Sequence, residues 1–311
     1  MAGETRFLQI ASRQPGETLR TSVLDGRLPA SGSVTIGLIG RGISESLSPL
    51  MHEREGRRLG LDYHYHLIDF DRLGLADARV PDVVAEARLL GFAGLNATYP
   101  FKQAILPLLD AMAPDAAAIG AVNTVVFGQD RTIGHNTDCW GFAQSFREGL
   151  VGVAKERVLQ LGSGGAGAAV SQALLQEGVR HLDIFDTDPA RAHALADRLR
   201  GLFDVEIAVV EELPVPASLA DGIVNATPVG MAKHPGLPLD GRLLLPRHWV
   251  ADVVYFPLET ALISRARSLG CRVLPGGGMA VYQAVRAFEL FTGIKPDTDA
   301  MGETFRAAIA G

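Results

Sequence analysis

The chain lacks the features that mark disulfide-rich, membrane and nucleic-acid-binding proteins. Its two cysteines, Cys139 and Cys271, cannot form a disulfide framework and lack metal-site spacing. No apolar run approaches the roughly 18 residues of a membrane span, and the first residues contain no apolar core of a secretory signal. Lys and Arg total 29 against 35 Asp and Glu, so the formal net charge is −6 and no basic excess favours nucleic acid. We expect a protein of the reducing cytoplasm with a small-molecule partner and no membrane or nucleic-acid partner.

Low-complexity composition is also absent. Gly and Pro number 35 and 17, and 47% of the residues are apolar, which is ordinary for a globular protein. A length of 311 residues favours about two domains. The polar segment Met1–Ser33 is predicted to be an N-terminal arm outside the core. Both a monomer and a homodimer remain compatible with this composition.

From Thr35 onward, short β-branched runs alternate with segments of helical period, which predicts an α/β fold with mainly parallel strands. In the first half the predicted strands are Thr35–Ile39, Tyr63–Ile68, Phe92–Asn96 and Asn123–Val126, and the predicted helices are Pro49–Leu59, Pro81–Leu90 and Gln103–Met112. Strand Tyr63–Ile68 alternates, with Tyr63, Tyr65 and Leu67 on one face and His64 and His66 on the other.

The alternation of strands and helices restarts after a helix that begins near Asp138. In the second half Asp188 is predicted to cap a helix with Pro189 in its first turn, and the predicted strands are Arg157–Leu161, Leu182–Asp186, Val205–Val210, Gly222–Asn225 and Val250–Tyr255. We place a domain boundary near Asn136 and a second crossing near Gly278.

The second half contains a glycine-rich turn with the pattern G-x-G-x-x-G. Strand Arg157–Leu161 precedes it and an Ala-rich helix follows, which is the context that a dinucleotide-binding loop requires. Such a loop lets the backbone approach a pyrophosphate at a helix N-terminus. The alternative is a turn that needs glycine only for its backbone angles. The predicted cofactor-binding residues of the turn are Gly162, Gly164, Gly165, Ala166 and Gly167.

An acidic residue follows the next predicted strand. Asp186 lies where a carboxylate can bind the ribose hydroxyls and repel a 2′-phosphate, which favours NAD over NADP. The alternative is an ordinary turn residue. Arg191 lies five residues further on and could reach the ribose or a phosphate, so NADP stays possible. A methyltransferase is a rival occupant of such a fold, because it also combines a glycine-rich turn with an acidic strand end.

Polar clusters in the first half are poorly explained as core or plain surface. Ser46 and Ser48 lie two residues apart at a predicted helix start, where hydroxyls can hold a carboxylate near helix N–H groups. Helix capping by Ser48 is the alternative reading. Lys102 lies at a strand-to-helix junction beside Phe101 and Ile105, an apolar context that argues against a simple surface charge.

Seven strings in order resemble the shikimate dehydrogenase family. They are Ser46–Pro49, Asn96–Lys102, Ala121–Thr124, Asn136–Asp138, Gly162–Gly167, Asn225–Pro228 and Gly278-Met279 with Gln283. The resemblance extends from about Thr35 to the C-terminus. With Asp186 and the stretch Trp249–Pro257, it is most similar to the NAD-preferring quinate/shikimate branch.

The resemblance implies a substrate-binding α/β domain over 34–136, to which 279–311 return, a Rossmann NAD-binding domain over 137–278, and a cleft between them. It implies an enzyme that transfers hydride from shikimate, and possibly quinate, to NAD, with NADP less favoured. Lys102 would relay the proton and Asp138 would orient it, which requires Lys102 to release its proton near neutral pH. The implied substrate-binding residues are Ser46, Ser48, Asn96, Thr98, Asn123, Tyr255 and Gln283, and further implied cofactor contacts are Ala226, Thr227, Val254, Gly278 and Met279.

Several positions depart from the family pattern. Glu45 occupies a position that is commonly His in the biosynthetic enzymes, Tyr99 replaces a smaller residue, and Pro275 stands where Asp often precedes Gly. Asp186 favours the NAD-using branch, whereas Ser48 is the shikimate-type residue at a position where quinate users often carry Thr or Gly. The choice between quinate and shikimate stays open.

Two remaining questions are whether the chain binds a metal and whether it is an enzyme. His64 and His66 share a strand face, but two histidines without a third ligand are more typical of a solvated face, so we predict no metal. The main alternative to an enzyme is a noncatalytic NAD-sensing regulatory protein of the same fold. The presence of both Lys102 and Asp138 argues against it, because a sensor needs no proton relay.

Overall fold

The computed structural model describes residues 18–25 and 28–310, which form two compact units. Unit 1 contains the residues up to Ala117, Ala121–Asn136 and the segment from Ala284 onward. Unit 2 contains Ala118–Gly120 and Thr137–Gln283. Most of the predicted N-terminal arm lies outside the described residues.

Unit 1 is built on a six-stranded sheet with the order β2-β1-β3-β5-β6-β4. Its strands are β1 (Val34–Gly40), β2 (Tyr63–Asp69), β3 (Gly94–Ala97), β4 (Ala111–Met112), β5 (Thr124–Phe127) and β6 (Thr132–His135). Strand β1 pairs in parallel with β2 and β3, whereas β5 runs antiparallel to both β3 and β6. Strand β4 pairs in parallel with β6, so only β5 runs against the other five strands, and the sheet is mainly parallel as predicted. The turn between β5 and β6 is short, with the Gly128 N–H bonded to the Arg131 carbonyl at 2.9 Å, and so tight a connection produces antiparallel neighbours.

Helices cover this sheet on both faces. They are α1 (Thr18–Ser22), α2 (Ser48–Arg58), α3 (Val80–Leu89), α4 (Phe101–Ala104) and α5 (Pro114–Ile119, which crosses into unit 2), with the 3₁₀ turns Asp77–Arg79 and Leu106–Leu108. One apolar cluster joins Leu95 and Ile68 to α3, and a second packs Tyr63 and Tyr65 against Phe288. The alternation predicted for Tyr63–Ile68 is confirmed, since Tyr63 and Tyr65 are buried and His64 is exposed.

Unit 2 has a wholly parallel sheet with the order β12-β11-β10-β7-β8-β9. Its strands are β7 (Arg157–Leu161), β8 (His181–Phe185), β9 (Glu206–Val209), β10 (Gly222–Asn225), β11 (Trp249–Asp252) and β12 (Arg272–Leu274). Its helices are α6 (Thr137–Gly149), α7 (Gly165–Gln176), α8 (Pro189–Arg200), α9 (Pro214–Leu219), α10 (Ala261–Ser268) and the first part of α11 (Gly277–Thr292), with the 3₁₀ turn Gly241–Leu243. This is the doubly wound order of dinucleotide-binding domains, so the predicted α/β class with a Rossmann domain is confirmed.

Local sequence signals account for several of these boundaries. Asp188 caps α8 by accepting the Ala190 N–H at 3.1 Å, with Pro189 as the first helical residue, as the sequence predicted. Thr260 caps α10 in the same way through the Ile263 N–H. The elements that were not predicted are the helices α1, α5, α9, α10 and α12 (Thr298–Ala310) and the strands β4, β6 and β12.

Three predictions about the fold are wrong. The predicted helix Gln103–Met112 is instead α4, a 3₁₀ turn and strand β4, because Pro107 cannot donate the backbone hydrogen bond of a continuing helix. Residues 18–24 belong to the core, since Leu19 is fully buried and Glu86 accepts its N–H at 2.7 Å. The return to unit 1 falls at Ala284 rather than at 279, because α11 is one continuous helix that the division crosses.

Candidate active site

The carboxyl end of β1 carries the two predicted carboxylate-binding serines. Asp69, buried at the end of β2, holds the loop before them by accepting the N–H groups of Gly42 at 3.1 Å and Ile43 at 2.9 Å. The hydroxyl oxygen of Ser46 accepts the Ser48 N–H at 3.4 Å. Helix α2 begins at Ser48 itself, so Ser48 is not a helix cap and the capping alternative is wrong. The motif therefore lies on a loop held by a buried carboxylate.

A second predicted cluster lies at the carboxyl end of β3. Asn96 is buried within the strand, and the Thr98 N–H donates to the Ile39 carbonyl at 3.0 Å. Lys102 is half-buried on α4, and its carbonyl oxygen accepts the Val122 N–H at 2.9 Å. Because β1 and β3 are adjacent and parallel, both clusters lie at one edge of the sheet, the edge at which α/β proteins bind ligands.

A buried hydrogen-bond network surrounds Asn96 in the second cluster and reaches towards Ser48 in the first. The Tyr65 hydroxyl donates to Asn96 Oδ1 at 2.7 Å. Burial raises the pKa of Tyr65, and the neighbouring Ser48 side chain partly opposes that rise. Asn96 Nδ2 donates to the Asn123 carbonyl at 3.1 Å and to Thr124 Oγ1 at 2.9 Å. Unit 1 thus brings together the predicted residues Ser48, Asn96 and Asn123. The sequence placed Tyr65 on the buried face of β2 but did not select it as a site residue.

Asp138, the proposed partner of Lys102, belongs to the other unit. It lies buried in the first turn of α6, two residues after Asn136, whose amide donates to the Ala121 carbonyl at 2.9 Å. Partial burial, and to a smaller extent the negative charge of Asp138, raise the pKa of Tyr255. Because Lys102 lies in unit 1 and Asp138 in unit 2, their pairing stays a prediction.

In unit 2, the glycine-rich turn connects β7 to α7 where the strand order reverses. Gly162 has a φ of +95°, a backbone conformation that favours glycine. A Cβ on Gly167 would lie 2.3 Å from the Gly162 carbonyl oxygen, so the turn closes on itself only with glycine there. A Cβ on Gly164 would meet no atom within 4 Å, which leaves open space beside the backbone at the start of α7. This geometry fits a pyrophosphate held by backbone N–H groups.

Gln160, a buried residue outside the glycine motif, holds this turn through hydrogen bonds to its carbonyl oxygens. The Gln160 amide donates to the carbonyl oxygens of Gly162 at 2.9 Å and Gly167 at 3.0 Å, and Ser171 donates to Gln160 Oε1 at 2.9 Å. Gln160 and Ser171 are both fully buried. A polar residue in a buried parallel strand, two positions before the first glycine, was the signal that could have identified it.

Asp186 follows β8 and is anchored to the glycine-rich turn. Its Oδ2 accepts both the N–H of Ser163 at 2.7 Å and the Ser163 hydroxyl at 2.6 Å, and its Oδ1 accepts the Asp188 N–H at 2.9 Å. Burial alone would raise the pKa of Asp186, but these hydrogen bonds and the charge of Arg191 together hold it below its usual range. Arg191 itself is exposed and pairs with Asp188 at 3.2 Å.

The predicted cofactor contacts after β10 and β11 are held by two buried polar residues. Asn225 Oδ1 accepts the Thr227 hydroxyl at 2.6 Å, and its amide donates to Asp252 Oδ1 at 2.9 Å. Asp252 also accepts the Val254 N–H at 3.0 Å, and burial raises its pKa. The Ala226 carbonyl would lie 2.9 Å from a Cβ on Gly162. The glycine-rich turn, Ala226 and Thr227 are therefore close together.

The remaining predicted residues lie on the first part of α11. A Cβ on Gly278 would lie 2.2 Å from Ser145 Oγ, and a Cβ on Gly141 would lie 2.8 Å from the Gln283 N, so small residues let α6 and α11 pack closely. The Gln283 amide donates to the Ala280 carbonyl of its own helix. Gly278, Met279 and Gln283 belong to unit 2.

Among residues 18–25 and 28–310, no group of three or more His, Cys, Asp or Glu could hold a metal ion.

Comparison with known proteins gives consistent matches over most of the chain. Residues 38–125 match the model of the shikimate dehydrogenase substrate binding domain, and residues 276–304 match the shikimate 5′-dehydrogenase C-terminal domain. A shikimate dehydrogenase (NADP(+)) of Streptomyces avermitilis is 56% identical over 86% of this chain and 92% of the relative. A quinate/shikimate dehydrogenase (NAD(+)) of Corynebacterium efficiens is 48% identical over 88% of this chain and 98% of the relative.

The solved structures agree with the sequence matches. Quinate dehydrogenase from Corynebacterium glutamicum in complex with NAD superimposes with a TM-score of 0.83 at 46% identity, covering 88% of this chain and 99% of the other. Shikimate 5-dehydrogenase from Thermus thermophilus in complex with NADP(H) and shikimate gives a TM-score of 0.78 at 35% identity, covering 88% and 99%. The fold, the glycine-rich turn and these relatives lead to one conclusion: the chain belongs to the shikimate dehydrogenase family.

Proposed function

We propose that this family member is an NAD-preferring dehydrogenase that oxidises a ring hydroxyl of shikimate, and also of quinate, to the 3-dehydro acid. The observation that carries the cofactor preference is the anchored carboxylate of Asp186. Three hydrogen bonds fix it beside the glycine-rich turn and favour its ionised form. A fixed negative charge at this strand end accepts a ribose hydroxyl and repels a 2′-phosphate.

Arg191 leaves some use of NADP open. Its guanidinium pairs with Asp188 at 3.2 Å, so it is engaged by a second carboxylate next to Asp186. An exposed pair of this kind is weak, and Arg191 can still rotate away from it. The relative from Streptomyces avermitilis is named with NADP(+), and the relative from Corynebacterium efficiens is named with NAD(+). Both names include a nicotinamide dinucleotide, and the preference of this chain for NAD is the more specific part of our proposal.

The reaction divides between the two units. A bound nicotinamide dinucleotide supplies the hydride acceptor. In our proposal the amine of Lys102 takes the proton of the reacting hydroxyl while the carbon–hydrogen bond breaks, and Asp138 accepts a hydrogen bond that orients this hydroxyl and the lysine. Ser46 and Ser48 hold the substrate carboxylate. Further ring hydroxyls are held by Asn96, Thr98, Asn123 and Gln283, with Tyr255 nearby.

The direct test combines shikimate or quinate with NAD or NADP in four assays, monitored by absorbance of the reduced cofactor. We expect turnover with shikimate and NAD, a lower kcat/KM with NADP, and detectable turnover with quinate. No turnover in any pairing would refute the enzyme assignment. The relatives reported above are named as dehydrogenases, which gives no support to a noncatalytic sensor or to a methyltransferase.

The cofactor proposal has its own test in Asp186→Ser. We expect the ratio of kcat/KM for NAD over that for NADP to fall by at least tenfold, because the variant removes the negative charge but keeps a hydroxyl. Asp188→Ser is the matched control, since it removes a neighbouring charge that makes no contact with the glycine-rich turn in the described structure. An unchanged ratio in Asp186→Ser would place the preference elsewhere.

Small molecules are the proposed partners, and the choice between monomer and homodimer stays a prediction, as does the cytoplasmic location. No helix in the described part of the chain is long and apolar enough to cross a membrane.

A further inference from the structure

We propose that Tyr65 is a positioning residue of the substrate site, which joins Ser48 and Asn96 in a hydrogen-bond chain of fixed direction and makes Asn96 an acceptor for a substrate hydroxyl. This inference rests on the proposed function and deepens it. Tyr65 lies outside the family motifs, and its hydrogen bond determines which oxygen-containing group of a ligand Asn96 can bind.

The direction of the chain is set at its far end by a backbone carbonyl. The Asn123 carbonyl oxygen can only accept, so the group that faces it at 3.1 Å must be the Asn96 amide nitrogen. The amide oxygen of Asn96 then faces Tyr65 at 2.7 Å, and the Tyr65 hydroxyl must donate. Burial raises the pKa of Tyr65, which keeps its hydroxyl protonated as that donor.

The same geometry restricts what Asn96 can offer a ligand. Both N–H groups of its amide are used, one by the Asn123 carbonyl and one by Thr124 Oγ1 at 2.9 Å. An amide oxygen has two lone pairs, and Tyr65 occupies one. The remaining lone pair can accept from a ligand hydroxyl, whereas a ligand carbonyl or ether oxygen has no proton to donate. Asn96 therefore selects a hydroxyl that the substrate retains, not the hydroxyl that becomes a carbonyl.

Tyr65 also orients the serine of the carboxylate-binding pair. Because the Tyr65 proton is committed to Asn96, the Tyr65 oxygen can only accept from the nearby Ser48 hydroxyl, and in our proposal it does so before the substrate binds. A bound carboxylate competes for that proton and forms the stronger, charge-assisted bond. Before binding, Tyr65 thus keeps Ser48 in a single orientation, and the bond from Tyr65 to Asn96 persists in both states.

The chain offers a matched control for this role in Tyr63. It lies two residues earlier on the same face of β2, and the two tyrosines are 6% and 5% exposed. Its hydroxyl bonds to His52 Nδ1 at 2.9 Å, and its ring stacks on Phe288. In the described structure it makes no hydrogen bond to Ser48 or Asn96. Tyr63→Phe and Tyr65→Phe therefore remove the same buried hydroxyl group from equivalent surroundings, but only one of them belongs to the chain.

The first experiment measures shikimate affinity by calorimetry without cofactor, NAD affinity, and the melting temperature of both variants. We expect the shikimate Kd to rise about tenfold in Tyr65→Phe and less than twofold in Tyr63→Phe. The melting temperature should fall by a similar amount in both, and NAD affinity should change less than twofold. Equal shikimate Kd values in the two variants would overturn the positioning role. Shikimate binding and turnover by the unmodified chain test the proposed function separately.

The second experiment tests the direction of the chain with the monodeoxy analogues of shikimate. We expect one analogue to lose affinity for the unmodified protein and to be less sensitive to Tyr65→Phe than shikimate is, because it no longer uses the Asn96 oxygen. If every analogue responds to Tyr65→Phe as strongly as shikimate does, Asn96 is not a hydroxyl acceptor held by Tyr65 and the inference is wrong.

Discussion

The two units use different material to build their ligand-binding edges, although both present the carboxyl ends of parallel strands. In unit 2 the main chain forms the edge, through a turn of glycines. The Gln160 amide donates hydrogen bonds to two carbonyl oxygens of this turn. In unit 1 side chains form the edge, and they interlock across distant parts of the sequence, with Tyr65 and Asn96 separated by 31 positions. Substitutions should therefore affect cofactor binding through backbone geometry in unit 2 and substrate binding through side-chain hydrogen bonds in unit 1.

The sheets differ in the same sense. Unit 2 has only parallel strands and the strand order of a dinucleotide-binding domain, so its ligand edge follows from topology. Unit 1 has one strand, β5, that runs antiparallel to the others, and its candidate site depends on which side chains converge there. A general cofactor can be bound by a turn of fixed backbone geometry, whereas a particular ring acid requires hydrogen-bond partners of defined donor and acceptor character.

The largest effect should come from removing Lys102, the proposed proton relay of unit 1. In Lys102→Ala we expect kcat to fall by about 10³-fold, because general acid–base groups contribute about 10²–10⁴-fold. NAD affinity should change less than twofold, because the binding turn lies in unit 2. Gln103→Ala, an exposed neighbour on the same short helix, is the control and should retain its kcat. Steady-state kinetics and NAD titration check this, and a kcat above a tenth of normal would contradict it.

The next effect concerns the backbone of unit 2. An added Cβ at Gly167 would lie 2.3 Å from the Gly162 carbonyl oxygen, so Gly167→Ala must open the turn. We expect NAD affinity to fall about 100-fold, equivalent to about 2.7 kcal/mol, with the shikimate Kd unchanged. Gly201→Ala is the control, because its Cβ would make only ordinary contacts at 3.4 Å and 3.9 Å. If Gly167→Ala lowered shikimate affinity and NAD affinity equally, the ligand-binding edges of the two units would not act independently.

A smaller effect on NAD affinity should follow from removing the side chain of Gln160 that holds the glycine-rich turn. Gln160→Leu removes the two hydrogen bonds to the glycine carbonyls and the acceptor of the Ser171 hydroxyl, but retains a buried side chain of similar size. We expect NAD affinity to fall about 30-fold, because the two lost bonds to the turn are together worth about 2 kcal/mol. Gln172→Leu is the matched control, since Gln172 is also buried and its Oε1 has no hydrogen-bond partner in the described structure. Similar NAD affinities in the two variants would contradict a role for Gln160.

The same contrast explains what could be predicted from the sequence. The glycine-rich turn, the Asp188 cap and most strands follow local rules of backbone conformation and period, so they were predicted close to their observed bounds. Tyr65 and Gln160 were missed because their roles depend on partners that only the folded chain brings near. Ser46, Ser48 and Lys102 were selected from their local sequence context. Asn96, Thr98 and Asn123 came only from the family resemblance, since no local pattern connects them with the serines.

The errors also have local physical causes. Pro107 breaks the apolar period that predicted a helix over Gln103–Met112, and the chain continues into a strand instead. The segment around Leu19 was predicted to be an arm because it is polar on average. A single leucine and the backbone N–H groups that Glu86 accepts are enough to dock it.

The smallest effect concerns the stability of unit 1 at mildly acidic pH. Burial among Tyr63, Tyr65 and two phenylalanine rings lowers the pKa of His52 from 6.5 to about 3. The unfolded chain therefore takes up a proton at this histidine below pH 6.5 while the folded chain does not, and stability decreases as the pH falls. Between pH 6.5 and 5.5 this single group should remove about 1 kcal/mol from the free energy of unfolding.

His52→Gln should abolish that part of the pH dependence, because glutamine does not titrate, even though its packing lowers the stability at every pH. His64→Gln is the control: His64 lies on the opposite face of β2 with half of its side chain exposed, and this variant should keep the full loss between pH 6.5 and 5.5. Urea unfolding of both variants at the two pH values measures the difference. An equal loss in His52→Gln and the unmodified chain would mean that His52 takes up its proton in the folded chain with the same pKa as in the unfolded chain. The buried hydrogen bond to Tyr63 would then involve a charged imidazole, and the side-chain network of unit 1 would tolerate a charge that its apolar surroundings should exclude.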